Sequence, residues 1–295
     1  MIIDLKYHIA SLVAVFLALG LGILIGTSVL GSDTLIENQN KIIASLRQDY
    51  EKLNQENKNY RGEVSRLQEE VKKHREFEES VLPLLIKDRL AGRQIAVVES
   101  NVFPFRDKLV ATLRMSGATV VSVTTFRSGW EKDAGKRAEI AKLFNLDGKV
   151  SEKELVQAVA ARLPALIATG KEKELLDQLV AQEIIRVDGE YGVPLSAVVV
   201  IGGSPDEERN LAEVFDLPVI TGFQQLKIPV YGVESSDVRV SYIKTYQKAR
   251  ITTVDHADTA AGQLSLVWAI EKALTGDYGV KETAKQFAPA VGQEG

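Results

Sequence analysis

The sequence predicts an α/β protein built in three parts: an amino-terminal transmembrane helix, a parallel dimeric coiled-coil stalk, and a doubly wound parallel-sheet domain of flavodoxin-like or Rossmann-like type. Three observations predict this class: an uncharged apolar run over 9–30, a heptad repeat over 36–74, and strands alternating with helices beyond residue 93. The predicted parts are a transmembrane anchor at 1–32, a coiled coil at 33–82, an α/β domain at 92–275 with a helical insertion at about 148–195, and a flexible tail at 276–295.

The composition restricts the classes of function. The 295 residues are 45% hydrophobic and 26% charged, with a formal net charge of -4. This is a globular composition without the basic field that nucleic-acid binding requires, so no nucleic-acid partner is expected. The chain has no Cys, two Met and three His, which argues against thiol catalysis, structural zinc and a copper site built from thiolate or thioether ligands.

The uncharged run from Ile9 to Leu30 is long enough for a helix to cross a bilayer core of about 30 Å. A cleaved signal peptide is the alternative, but its apolar region is usually shorter, so a retained single-pass anchor in the cell membrane is preferred. Lys6 and the amino group lie on the near side of the run. The positive-inside rule then predicts a cytoplasmic amino terminus and an extracytoplasmic carboxyl-terminal domain.

Small residues recur at every fourth position of the predicted anchor: Ala10, Ala14, Ala18, Gly22 and Gly26. Such a stripe lets two helix backbones approach closely, so it predicts self-association in the membrane. The alternative is that Ala and Gly are simply common in membrane helices.

The heptad repeat predicts the stalk. Its a positions are Ile36, Ile43, Tyr50, Asn57, Val64 and Val71, and its d positions are Gln39, Leu46, Leu53, Tyr60, Leu67 and His74. β-branched residues at a with Leu at d favour a parallel two-stranded coil, and an Asn at a fixes the register. We expect Leu46, Leu53, Asn57, Val64 and Leu67 to form the dimer contact, together with Ala14, Ala18, Gly22 and Gly26 of the anchor.

Two further features bear on the stalk. The pairs Glu56–Arg61 and Glu70–Arg75 occupy g and following e positions, where opposite charges attract in a parallel dimer. A single long helix packed on its own domain is the alternative, but the a/d stripe is narrow for that role. Pro83 is expected to end the coil. His74 at d could bring two imidazoles together in a dimer, although a fraying coil end explains it equally, and no metal site is predicted.

Five apolar runs beyond residue 93 predict parallel strands at 94–99, 118–125, 197–201, 228–233 and 251–254, in the order 2-1-3-4-5. Helices are expected at 103–116, from Ser204 onward, and along the face Leu264, Val267, Ile270 and Leu274. Residues 151–183 predict two inserted helices, and 184–193 a hairpin turning at Asp188–Gly189.

Parallel strands of this order create a crevice at their carboxyl edge, where a ligand would bind. Polar residues gather there, and the candidates are Glu99, Ser100, Asn101, Gly203, Ser204, Glu234, Ser236, Asp255, His256 and Asp258. Structural roles compete with this interpretation: Ser204–Glu207 has the pattern of a capping box, and Ser236 and Asp258 are suitable helix caps.

The chemistry expected of this crevice is limited. GxGxxG and Walker A motifs are absent, and the acidic clusters would repel phosphate, so a ligand should be neutral, cationic or a protein segment. His256 is the only His of the domain; it could be a lone base or ligand, or an ordinary loop residue. No catalytic constellation is found, so the chain is predicted not to be an enzyme and to need no cofactor.

Three segments together resemble one family. They are MIIDLKYHIASLVAVFLALGLGILIG at the amino terminus, VVVIGGSPDE, and TTVDHADTAAGQ, in which His256 stands where Asn is expected. The chain resembles the MctB-type family, often labelled copper transporter, over essentially its full length. The resemblance implies copper transport or homeostasis in the bacterial envelope. A SteB-like branch of the family implies a cell-division component that works with a cytoplasmic partner and a peptidoglycan hydrolase.

The function predicted from these features is that of a membrane-anchored homodimeric scaffold. It would position envelope and cytoplasmic-side protein partners, in cell division or in the control of a peptidoglycan hydrolase. Copper transport or homeostasis is the alternative, and a small-ligand-binding or degenerate enzyme domain is the third interpretation.

Overall fold

The computed structural model of the protein describes residues 5–29, 32–147 and 150–290. The chain forms two compact units, Met1–Lys72 and Lys73–Gly295. Three predicted features lie outside the described residues. They are the end of the apolar run at Leu30, the start of the insertion at 148 and the last five residues of the tail.

The first unit begins with the apolar helix α1, Leu5–Val29. Its stretch Leu5–Ser28 is long and apolar enough to cross a membrane, and its side chains are exposed. A side chain added at Gly22 or Gly26 would face open space, so no residue that the structure describes in the first unit covers this part of the stripe. Pairing of two such helices stays a prediction.

Helix α2, Ser32–Ile86, starts in the first unit and ends in the second. In the first unit its heptad positions are exposed, with Leu46, Leu53 and Leu67 at 61%, 65% and 46%. Ion pairs four residues apart, such as Arg66–Glu70 at 2.7 Å, support the single helix. Coil formation and dimerisation stay predictions.

Pro83 does not end the helix, because α2 continues to Ile86 with Pro83 inside it, whereas the end of the coil at Pro83 stays a prediction. Proline removes one backbone hydrogen bond from a helix interior. Leu82 and Ile86 are buried in the core of the second unit, and the last turn closes through a hydrogen bond from Lys87 N to the Pro83 carbonyl at 3.1 Å. Burial of this helix end therefore compensates for the lost bond.

The second unit is built on a seven-stranded sheet of order β3-β2-β1-β4-β5-β6-β7. The strands are β1 Gln94–Glu99, β2 Thr119–Phe126, β3 Ile185–Gly189, β4 Ala197–Ile201, β5 Val230–Val233, β6 Thr252–Val254 and β7 Asp277–Tyr278. Every neighbouring pair is parallel except β2 with β3. The five predicted strands are β1, β2, β4, β5 and β6, and their predicted order is confirmed.

Two edge strands differ from the sequence prediction. The segment expected to be a hairpin forms one antiparallel strand, β3, and its Asp188–Gly189 pair does not turn the chain. Gly189 has a φ of 110°, which lets its backbone pass close to Val121. Part of the predicted flexible tail is also ordered, because Asp277 and Tyr278 form β7 and are buried.

Helices cover both faces of the sheet, as a doubly wound fold requires. They are α3 Arg106–Met115, α4 Ala134–Leu143, α5 Glu152–Thr169, α6 Lys173–Ala181, α7 Leu217–Gln225, α8 Ile243–Lys248 and α9 Ala260–Glu271. Alternate residues of the buried strands point to opposite faces, so Val98 and Val200 pack with α5 and α7, whereas Val97 and Val199 pack with α3 and α9.

The helix expected from Ser204 onward is replaced by two short turns before α7. A 3₁₀ turn covers Glu207–Arg209, and a π-helical turn covers Ala212–Asp216. The Tyr242 hydroxyl accepts a hydrogen bond from Leu211 N at 2.7 Å. This bond holds the chain in place between the 3₁₀ turn and the π-helical turn. Smaller differences are that α3 begins at Arg106 and that α9 ends before Leu274.

Candidate ligand groove at the carboxyl edge of the sheet

A groove of about 760 Å³ lies at the carboxyl edge, between the segments that follow β1, β2, β4 and β5. Three of the predicted candidates line it: Ser100, Asn101 and Ser204. Strand β1 has β2 on one side and β4 on the other, so the groove lies where the strand order reverses. Ligands of open α/β sheets bind at this point.

The predicted acidic residues at this edge are neutralised by the protein itself. Glu99 is fully buried, and its Oε1 accepts hydrogen bonds from Arg106 at 2.8 Å and from the Thr125 hydroxyl at 2.6 Å. Burial raises the pKa of Glu99, although Thr125 and Arg106 oppose the shift. The side chain therefore ties α3 to β1 and β2 and does not line the groove.

Glu234, after β5, has a similar environment. Its carboxylate accepts hydrogen bonds from Lys281 Nζ at 2.6 Å, the Ser241 hydroxyl at 2.6 Å and Tyr242 N at 2.9 Å. Burial raises the pKa of Glu234, and the positive charge of Lys281 opposes the shift. Lys281 follows α9 in the chain, so its bond to Glu234 anchors the segment after α9 to the end of β5.

Asp255 and Asp258, after β6, also bind protein groups. Asp255 accepts hydrogen bonds from Val280 N at 2.8 Å and Lys281 N at 3.0 Å. Burial opposes ionisation of Asp255, but the contact with His256 and these two N–H groups lower its pKa. Asp258 accepts hydrogen bonds from Ser236 N at 2.7 Å and Ser236 Oγ at 2.8 Å.

The capping roles predicted for this edge are wrong. Ser236 and Asp258 bind each other, and the N-cap of α9 is Thr259, which accepts a hydrogen bond from Gly262 N at 3.1 Å. Ser204 donates its hydroxyl proton to the Asp206 carbonyl, and Asp206 caps the 3₁₀ turn by accepting from Arg209 N at 2.9 Å.

His256 is buried away from the groove. Its Nδ1 lies 3.5 Å from Asp255 Oδ1, and its ring lies 5.3 Å from that of Phe287. Its Nε2 has no hydrogen-bond partner among the residues that the structure describes. The structure therefore places His256 under the ordered part of the carboxyl-terminal segment.

Asn101 lines the groove, and Gly203 holds the loop that carries Ser204 in place. Gly203 has a φ of 96° and packs against Val238, where a side chain would not fit. Asn101 donates through Nδ2 to the Gly203 carbonyl at 3.0 Å and to Tyr242 Oη at 3.4 Å. These contacts fix the loops that follow β1 and β4.

Sequence reasoning missed a buried carboxyl beneath the groove, Asp216. It ends the π-helical turn, is fully buried, and accepts a hydrogen bond from the Tyr246 hydroxyl. Burial raises the pKa of Asp216 to about 7, with the hydroxyls of Tyr246 and Ser100 opposing the shift. Ser100 is close enough to influence this pKa, yet its hydroxyl meets no partner at hydrogen-bonding geometry. An Asp within an apolar run, AEVFDLPVI, was the signal in the sequence.

The charge of the groove differs from the predicted one. Arg127, Arg209 and Arg239 line it together with Asp206 and Asp237. The expectation that acidic residues surround the crevice holds for Asp206 and Asp237, but it is wrong for Glu99, Glu234, Asp255 and Asp258, which are not among its lining residues. Among residues 5–29, 32–147 and 150–290, no group of three or more His, Asp or Glu side chains could hold a metal ion.

Comparison with protein families gives one match, to the family described as MctB, copper transport outer membrane protein, over residues 2–289. The chain belongs to the MctB family. The resemblance stated from the sequence is thereby confirmed. The comparison with curated proteins gives no match.

Membership in the MctB family makes this chain a relative of copper-transport proteins of the envelope, and the apolar helix α1 supports membrane anchoring. The donor set does not fit a copper carrier of the usual kind. Cu(I) prefers thiolate and thioether ligands, and the chain has no Cys and only Met1 and Met115. Copper is the cargo named in the family description, and the described residues contain no evident set of copper ligands.

Proposed function

We propose that this MctB-family chain is a membrane-anchored dimeric scaffold of the cell envelope, which serves copper transport or homeostasis by positioning partner proteins. The observation that carries the proposal is the exposed heptad stripe of α2, which follows the apolar helix α1 in the sequence. The family description refers to copper transport and gives no support to a role in cell division.

The occupant of the heptad stripe is a second copy of the chain. Val64 and Leu67 are about half exposed in the single chain, and an apolar stripe of this kind is normally buried by a partner helix. Asn57 at an a position fixes register between identical helices. Glu56 and Arg61 would attract each other across a parallel, in-register dimer.

Indirect action on copper follows from the donor set. The chain lacks Cys, and the groove is lined by three arginines against two aspartates, an excess of positive charge that disfavours metal cations. Transport or homeostasis would then depend on other envelope proteins that the stalk and the α/β domain hold in place. The proposed topology is a cytoplasmic amino terminus with the second unit outside the cytoplasm.

Cysteine crosslinking tests the dimer, because the native chain contains no Cys. The variant Leu53→Cys, at a d position, should form a disulfide-linked dimer in membranes under mild oxidation. The matched variant Lys52→Cys, on the outer face of the helix, should not. Equal crosslinking of the two variants, or none in either, would refute a parallel in-register coil.

Two further measurements test topology and the role in copper handling. External protease should digest the second unit in spheroplasts, and its full protection would reverse the proposed orientation. In a strain that lacks the gene, wild-type protein should restore normal copper content, whereas a variant carrying Leu46→Asp and Leu53→Asp should not. Restoration by this variant would show that the coil is dispensable for copper handling.

A further inference from the structure

We infer that the groove at the carboxyl edge binds a small organic oxyanion, a carboxylate or a phosphate ester with an apolar body. This inference is independent of the proposed scaffold role. It rests on the position of the groove, its charge, a buried hydroxyl without a partner, and its apolar wall.

The position is the first observation. Ser100 and Asn101 follow β1, Arg127 follows β2 and Ser204 follows β4, so the groove is built by both halves of the sheet. Where the strand order reverses, the loops after neighbouring strands run to opposite sides of the sheet. The crevice between them gives a ligand access to the carboxyl ends of the strands. Its volume of about 760 Å³ suits a molecule of cofactor or metabolite size.

The charge is the second observation. Arg127, Arg209 and Arg239 come from three different segments and line the groove, where they outnumber its two carboxylates, Asp206 and Asp237. Arg239 makes no ion pair with any residue that the structure describes. Arg127 and Arg209 have only long, exposed ion pairs, with Glu183 at 3.4 Å and Asp206 at 3.7 Å. Exposed pairs of this kind are weak, so an oxyanion can compete for these guanidinium groups.

The third observation is the Ser100 hydroxyl. Ser100 is 1% exposed and lines the groove; its Oγ lies near the Asp216 carboxyl but makes no hydrogen bond of good geometry with any residue that the structure describes. A buried hydroxyl without a partner is costly, and it is commonly retained where a ligand completes its hydrogen bonding. The neighbouring π-helical turn that carries Asp216 supports this interpretation, because such turns occur frequently at functional sites.

The apolar wall defines the rest of the ligand. Phe103 and Phe126 line the groove on one side and Val238 on another. Phe126 is held in place by Phe215, with ring centroids 4.4 Å apart. A flat or apolar body would pack here while its oxyanion meets the arginines, and a free inorganic ion would leave this wall unused.

Four matched small molecules test the inference on the full-length protein in detergent. They are phenyl phosphate, benzoate, benzyl alcohol and benzylamine, which share a ring and differ in charge. Ligand-observed saturation-transfer NMR detects millimolar binding. Phenyl phosphate or benzoate should give a signal, and their ratio distinguishes a phosphate from a carboxylate ligand. The neutral alcohol and the cationic amine should give none.

Three variants show whether the signal comes from the groove. Arg239→Ala and Ser100→Ala should each weaken anion binding by about tenfold, because a charge-assisted or buried hydrogen bond is lost. The control Arg93→Ala removes an exposed arginine before β1, at the opposite edge of the sheet, and should leave binding unchanged. The inference is overturned if neither anion binds, if benzylamine binds as well as the anions, or if Arg239→Ala and Arg93→Ala behave alike.

Discussion

Lys281 Nζ lies 2.6 Å from Glu234 Oε1, so the segment after α9 neutralises a carboxylate buried at the end of β5. Glu234 is fully buried, whereas Lys281 is 21% exposed and also donates to the Ser235 carbonyl at 3.0 Å. The next residue on the amino-terminal side, Val280, donates its N–H to Asp255. Two acidic residues of the carboxyl edge, Glu234 and Asp255, are therefore compensated by one short segment, and neither of them lines the groove.

Lys281→Met should destabilise the protein by about 3 kcal/mol, because it leaves Glu234 buried without its cation. Thermal unfolding at neutral pH measures the loss. The matched variant Lys108→Met breaks the pair with Glu79, in which the two side chains are 45% and 54% exposed, and should cost less than about 1 kcal/mol. Adding Glu234→Gln to Lys281→Met should recover most of the stability. Equal effects of the two lysine variants would show that burial of Glu234 is not the cause.

Asp216 should make stability fall as pH rises from about 4 to about 7. Its pKa is raised to about 7 in the folded state, so the native protein holds a proton that the unfolded chain has already released. The contribution is complete below the unfolded pKa and is lost as pH rises through the folded pKa. Chemical denaturation across this window should show a loss of about 1 kcal/mol per pH unit from this group.

Asp216→Asn isolates this effect, because Asn cannot ionise and is similar in shape. The variant should become more stable relative to the wild type as pH rises from 5 toward 8. Tyr246 would still find an acceptor in the Asn side-chain carbonyl. A stability difference that stays constant over this pH range would show that Asp216 does not titrate there.

The strands that the sequence predicted share one property, continuous apolar character. The runs that became β1 and β4, such as Val198–Ile201, are buried on both faces and therefore read as strands without further information. Strand β7 could not be found this way, since Asp277–Tyr278 has two residues and no continuous apolar run. In β3, Asp188–Gly189 resembles a turn signal, but Gly189 is needed for a close approach to β2.

The candidate site was only partly predictable for a related reason. Its location follows from strand order, which the sequence indicated. Its charge depends on partners distant in the chain, such as Glu234 and Lys281, 47 residues apart. The three groove arginines come from separate loops, and an arginine in a loop has no local pattern that distinguishes a ligand contact from ordinary surface.

Gly189→Ala should disrupt the pairing of β3 with β2. An added Cβ would lie 2.2 Å from the Val121 carbonyl oxygen, and the φ of 110° is itself unfavourable for Ala. Gly129 has a φ of 112° with nothing within 4 Å of an added Cβ, so Gly129→Ala measures the backbone cost alone, about 1 kcal/mol. Gly189→Ala should cost about 3 kcal/mol in thermal or chemical unfolding. Similar losses in the two variants would mean that β3 adjusts without a clash.

Asn57→Ile should make the proposed coil more stable and less specific in its oligomeric state. A polar residue at an a position lowers stability but fixes a two-stranded, in-register dimer, and Ile removes both effects. Sedimentation of the full-length protein in density-matched detergent should show dimers for the wild type and a mixture including larger species for Asn57→Ile. Asn59→Ile, on the outer face of α2, should remain dimeric. A wild-type protein that is strictly monomeric at tens of micromolar would refute the dimeric coiled-coil stalk. Identical behaviour of Asn57→Ile and Asn59→Ile would show that Asn57 has no role in fixing the register.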